Sequence, residues 1–200
     1  MPNVALPDHP IHELITARWS PYGFDERSVP RQILQSLFEA ARWAPSSYNE
    51  QPWRYIVATR DDRDSHAKLL SCLVEGNQVW AKHAPVLMLG LVQLFHTRNN
   101  QPNPAARHDL GVASAHLTME ATSRGLVVHQ MIGILPDKAR ELFGIPDGYE
   151  AVTALAVGYE AERRDLPRKL QERDRAPRRR RPIAEFVFGG EWGTPAKLVK

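Results

Sequence analysis

A single cysteine, Cys72, among 200 residues excludes an intramolecular disulfide framework and fits a reducing compartment. Cys72 lies in an apolar helical pattern, where a small buried hydrophobe is expected. No apolar run approaches the ~20 residues of a membrane-spanning helix, so no membrane partner is expected. Met1 to Pro10 lacks a basic stretch followed by an apolar one; a secretory signal is not expected and a cytoplasmic protein is. There is no glycine fingerprint of a dinucleotide-binding βαβ unit. The eight histidines form no HExxH-type pair, and His108 and His116 stand too far apart for a helical ligand pair, so no metal site is expected. Ser46 and Ser47 have no nucleophile-elbow glycines, which argues against acyl transfer. Internal repeats and composition breaks are absent as well.

What is present suffices for one core. Hydrophobic residues make up 42% of the chain, and a single domain over 1–200 is the natural reading, with 163–200 as a basic C-terminal extension. The net charge of +3 is uneven, since ten Lys or Arg fall between Arg163 and Arg181. Such a run is compatible with nucleic acid, an anionic cofactor or a solvated tail.

Helical periodicity predicts helices over 10–18, 30–43, 62–74, 105–124 and 136–143. The longest carries Ala106, Leu110, Ala113, Leu117 and Ala121 on one stripe, while Gly111, Ser114, Ala115 and Thr118 keep another face thin, as a dimer interface requires. Strands are expected over 53–57, 85–95 and 150–158, with the second, almost wholly apolar, buried on both faces. Residues 126–134 read as a short extended segment, 77–80 as a connection, 163–181 as irregular and 183–188 as a last edge strand. Trp43, Trp53 and Tyr55 are expected in the core.

The most informative stretch is Ala44-Pro45-Ser46-Ser47-Tyr48-Asn49-Glu50-Gln51-Pro52-Trp53. Pro45 stops the helix before it, and Pro52 opens a β-branched, aromatic run. The elbow between them holds more hydrogen-bonding side chains than a turn needs. It reads either as a polar surface loop or as a loop that holds a flat polar ligand.

Arg18-x-Ser20 followed by this elbow is similar to the pattern of the FMN-dependent nitroreductase family. Asn77 before Ala84-Pro85, His108-Asp109-Leu110-Gly111, Gly125-Leu126, Gly158-Tyr159, a basic cluster before Pro182, and Glu191-Trp192-Gly193 follow in the family's order. The resemblance implies an α/β (α+β) fold: a central mixed, mostly antiparallel sheet flanked by helices, in an intertwined homodimer. It implies FMN as cofactor, NADH or NADPH as donor, and a small aromatic acceptor such as a nitroaromatic or quinone. By the same resemblance, Arg18 and Ser20 belong to the FMN phosphate and ribityl chain, and Trp19 and Tyr22 count with them among the cofactor-binding residues. Pro45, Ser46, Ser47 and Asn49 would close on the flavin from the other subunit. Asn77 would pair the pyrimidine edge, Ile132 and Gly133 would face flavin O4 and N5, and Arg178 and Arg180 would hold the phosphate. The flavin carries the chemistry, and no catalytic side chain is implied.

Two positions depart from the pattern. Tyr22 and Trp80 stand where relatives carry basic residues near flavin N1 and O2; Arg27 or Arg54 could reach in instead. The departures leave reductive dehalogenation or an oxidase role open on the same scaffold. A basic nucleic-acid-binding module working through the 163–181 run is the reading from outside flavoproteins, but the run has few interleaved aromatics and no reading helix, so no nucleic-acid partner is expected.

Overall fold

In the computed structural model, residues 4–162 and 166–199 are described. Parts of two readings, the terminus at Met1 and the basic run at Arg163, fall outside them. The elements are α1 (Glu13–Ala17), α2 (Arg31–Arg42), β1 (Trp53–Thr59), α3 (Arg63–Leu70), α4 (Glu75–Ala81), β2 (Val86–Gln93), α5 (Ala106–Ser123), β3 (Val127–Met131), α6 (Pro136–Phe143), β4 (Tyr149–Gly158) and α7 (Arg168–Arg175).

The four strands form one sheet in the order β1-β2-β4-β3, and all three pairings are antiparallel. β2 lies at its centre and alternates between two cores. Leu87, Leu89 and Leu91 pack with Leu69, Leu73 and Trp80 on one face. Val86, Met88 and Val92 pack with α2 and α5 on the other. That double burial is why its sequence runs without a polar side chain from Val86 to Val92. The α5 stripe from Ala106 to Ala121 is buried as expected. Ser114 and Thr118 of the thin face are buried too: Ser114 Oγ meets Tyr55 Oη at 3.0 Å and Thr118 Oγ1 accepts from Gln130 Nε2. Gly111 and Ala115 stay exposed.

Local chemistry sets the element ends. Asp62 caps α3 by accepting from Ser65 N. Gly144 ends α6 with φ +60°. Cys72 is fully buried, with Sγ 3.5 Å from Lys68 O.

Four expectations are corrected. The 77–80 connection is part of α4, and α7 forms within the run read as irregular. Ile183–Glu185 is a single 3-10 turn rather than an edge strand. Trp43 is 71% exposed, because it follows the last residue of α2 and its indole N–H donates to Glu39 on the surface.

Candidate functional site

α1 ends where Arg18 N–H bonds Leu14 O, which turns the Arg18 side chain back toward Ser20, to whose Oγ its Nη1 donates at 3.2 Å. Arg178 crosses over from the C-terminal run. Its guanidinium donates to Thr16 O at 2.9 Å and to Arg18 O at 2.8 Å, main-chain oxygens at the end of a short helix. Arg18, Ser20, Tyr22, Arg173, Arg178 and Arg180 line one cleft of about 340 Å³. Burial, then the neighbouring Arg180, holds Arg18 below the usual arginine range. Burial, then Arg18 and Arg180, does the same to Arg178. Such crowded cations are relieved by a bound anion, and guanidinium forks with a hydroxyl match phosphate oxygens. A second cleft, of about 220 Å³, shares Arg18 and Ser20 and extends between Ala115 and Thr118 of α5 and Gln130 of β3.

A second group forms at the end of β3. Asn77, placed by the first turn of α4, donates through Nδ2 to Gly133 O at 3.0 Å, and Val74 N donates to the same oxygen at 3.1 Å. The fit leaves no room for a side chain at 133. A Cβ there would lie 2.5 Å from Asn77 Nδ2 and 2.9 Å from Val74 Cγ2. Ile132 is 84% exposed.

The elbow is the third group. Tyr48, Asn49 and Gln51 all adopt left-handed backbone, with φ of 52°, 56° and 48°. Asn tolerates this region, but Tyr and Gln do not readily, at a cost on the order of 1–3 kcal/mol each. The surroundings enforce the shape. Ser46 Oγ accepts from Gln51 N at 3.0 Å, and Asp109 Oδ2, from the buried first turn of α5, accepts from Ser47 N at 3.1 Å. Glu50 Oε2 accepts from both the N–H and the hydroxyl of Thr97, which holds its carboxyl below the usual range.

The structure thus brings Arg18, Trp19, Ser20, Tyr22, Arg178 and Arg180 to one cleft, and Asn77, Ile132 and Gly133 to one strand end. Pro45, Ser46, Ser47 and Asn49 are not with them in the protomer. The elbow feeds β1 at one edge of the sheet, whereas His129 Nδ1 donates to Pro21 O at 2.9 Å and pins the arginine loop to β3 at the other. Three strand spacings, roughly 14 Å, separate those edges.

The sequence model of the nitroreductase family matches residues 15–159. The chain belongs to the nitroreductase family. It is 32% identical to a 15.4 kDa protein of the ask 5′ region in Mycolicibacterium smegmatis, over 71% of this chain and 99% of that one. It is 26% identical to an NADH dehydrogenase of Thermus thermophilus, over 67% and 78% of the two chains. Among solved structures, an oxidoreductase containing FMN is similar at 35% identity and TM-score 0.89, over 95% of this chain and 96% of that one. A nitroreductase family protein of Clostridium difficile 630 comes next at 25% identity and TM-score 0.69, over 89% and 96%.

In this nitroreductase-family oxidoreductase the side chains of Tyr22 and Trp80 meet. Tyr22 and Trp80 touch each other edge to face, ring centroids 5.3 Å apart, and both pack on His129, at 4.9 and 4.4 Å. Tyr22, Trp80 and His129 form one aromatic cluster. Because Pro21 O can only accept, the proton of neutral His129 sits on Nδ1. Burial, first of all, lowers the pKa of this imidazole. Arg27 and Arg54 are both engaged elsewhere. Arg27 pairs with Asp25 and lies 4.1 Å over the Tyr159 ring, and Arg54 donates to Gln51 O, Trp53 O and Gln93.

Asp109 holds the elbow, and His129 and Asp174 hold the Arg18–Tyr22 loop, but the sequence alone assigns them no such role. Their partners are 62, 108 and 152 residues away, so no local pattern marks them. A carboxylate in the first turn of an otherwise apolar α5 stripe was the one readable signal, at Asp109.

Proposed function

We propose that the protein is an FMN-dependent oxidoreductase that takes electrons from NADH or NADPH and passes them to a flat, electron-poor acceptor. The cleft where Arg18, Arg178 and Arg180 crowd together carries this reading. Its donor set suits a phosphomonoester dianion, and the similar FMN-containing oxidoreductase supports a flavin as the group esterified to that phosphate. Bound there, FMN supplies hydride acceptance and release in a ping-pong cycle with a nitroaromatic or quinone acceptor.

The chain's own residues bind and orient. Arg18 and Arg180 neutralise the phosphate, while Arg178 bonds the Thr16 and Arg18 carbonyls and so sets the loop's path. Asn77 retains an amide oxygen and a second amide hydrogen, beyond its bond to Gly133 O, for a ring edge with alternating donors and acceptors. The elbow, at the opposite sheet edge, serves the cleft of a second copy, so the working unit is a homodimer. Exposed Gly111 and Ala115 let the α5 helices of two copies approach closely.

Native purification tests the reading. A yellow protein that releases FMN on denaturation is expected; a colourless one that takes up no added FMN refutes it.

The Tyr22–Trp80–His129 cluster favours a second reading on the same scaffold, with reductive dehalogenation or oxygen reduction as the electron outlet. It presents aromatic edges and a neutral imidazole where a lysine would stabilise developing negative charge. Steady-state rates with nitroaromatics, quinones, haloaromatics and oxygen separate the two; a preference for nitroaromatics or quinones over the rest removes the second.

A further inference from the structure

We infer that Asp174 of α7 is a positioning residue for the anion cleft, holding the Arg18–Tyr22 loop in the shape that receives the phosphate of FMN. The inference rests on the cofactor reading above. Asp174 is 3% exposed, and its two carboxylate oxygens lie 3.2 and 3.3 Å from the main-chain N–H of Tyr22. Leu170, one turn earlier on the same face of α7, is buried in the core cluster against which Tyr22 packs. Arg173, beside it, places its guanidinium 5.4 Å over the Tyr22 ring. α7 therefore holds one residue of the loop through a cation over its ring and a charged hydrogen bond to its backbone, with Leu170 in the core cluster that Tyr22 also joins.

The charge of Asp174 is what makes the case. It lines the same cleft as Arg18, Arg173, Arg178, Arg179 and Arg180, where a carboxylate repels an incoming phosphate. On electrostatics alone this position weakens anion binding. What it gives in return is geometric. Tyr22 stands two residues after Ser20 and four after Arg18, so fixing its amide fixes the direction in which the Arg18–Ser20 pair leaves α1. Charge and position thus act on FMN affinity with opposite signs.

That opposition supplies the test. FMN titrations by quenching of flavin fluorescence are carried out on flavin-free wild type, Asp174→Ala and Asp174→Asn. Loss of the bond to the Tyr22 amide in Asp174→Ala is expected to weaken FMN roughly tenfold or more. Asp174→Asn keeps an oxygen acceptor for that amide and is expected to stay within about threefold of wild type. Tighter binding by both variants, or unchanged binding by Asp174→Ala, overturns the inference. Hydrogen exchange on the wild-type protein covers the case in which Asp174→Ala does not fold. FMN is expected to slow exchange over 18–22 and 168–175 together, and protection of 18–22 alone overturns it. A wild type that takes up no FMN refutes the cofactor reading itself; wild-type uptake with an unaffected Asp174→Ala refutes only the role of Asp174.

Discussion

An alanine at position 133 probes the closest approach in the candidate site. Its Cβ would sit 2.5 Å from Asn77 Nδ2 and 2.9 Å from Val74 Cγ2, both inside contact distance. Asn77 must swing out and give up its 3.0 Å bond to Gly133 O. The lost bond costs about 1 kcal/mol and the overpacking about 1–3 kcal/mol, so Gly133→Ala should destabilise by about 2–4 kcal/mol. For a domain of this size that corresponds to a fall in Tm of roughly 4–16 °C. The reasoning makes a sharper claim in the Asn77→Ala background. There the amide is already gone and only the Val74 methyl remains in the way, so the same glycine replacement should cost at least ~1 kcal/mol less. Urea unfolding of the four flavin-free proteins measures the coupling. Additive effects, within about 0.5 kcal/mol, would show that Asn77 and Gly133 do not compete for space.

Other consequences are open to simpler measurements. Arg18→Ala removes charge-assisted bonds to the phosphate, each worth ~1.5–3 kcal/mol, and should raise the Kd for FMN by roughly ten- to a hundredfold; unchanged retention removes Arg18 from the site. Asp109→Ala leaves the Ser47 amide without its acceptor and should destabilise by about 1–3 kcal/mol, whereas Asp109→Asn recovers most of the loss; equal loss in both means the bond to Ser47 is not what matters. Burial lowers the pKa of His66 and His129, so the folded protein binds fewer protons than the unfolded chain below about pH 6.5. Stability from this source is present above that pH and lost as pH falls through the folded values. The Tm should therefore drop between pH 7.5 and 5.5, less steeply in His129→Asn, and equal slopes in the two proteins count against burial of a neutral His129.

The parts of the fold that could be read from the sequence are those where one face or both faces of an element decide its composition. β2 was readable because both faces are core, and α5 because its apolar stripe repeats at helical spacing. α4 was not, since Gly76 and Asn77 are weak helix formers and the helix is held by Gly133, more than fifty residues away. α7 hid in a basic run whose anchors are single residues, Leu170 and Asp174. Trp43 was misread because bulk and apolarity do not say on which side of a helix end a side chain falls. In the site, the elbow stood out through its two prolines, and Arg18 and Ser20 through the family pattern. That Arg178 folds back onto the Thr16 and Arg18 carbonyls, and that Asp109 supports Ser47, are long-range facts of packing.

On the proposed reading of the electron acceptor, the full burial of Cys72 has a chemical consequence. Quinones are Michael acceptors as well as electron acceptors, and partly reduced nitroaromatics are electrophiles; both alkylate accessible thiolates. The sole thiol of this chain lies in the core, and burial pushes its pKa up, which leaves little thiolate and no path to it. The protein therefore presents a surface free of thiols to any such electrophile. Turnover with such compounds should leave Cys72 free of adducts by peptide mass spectrometry as long as the fold is intact.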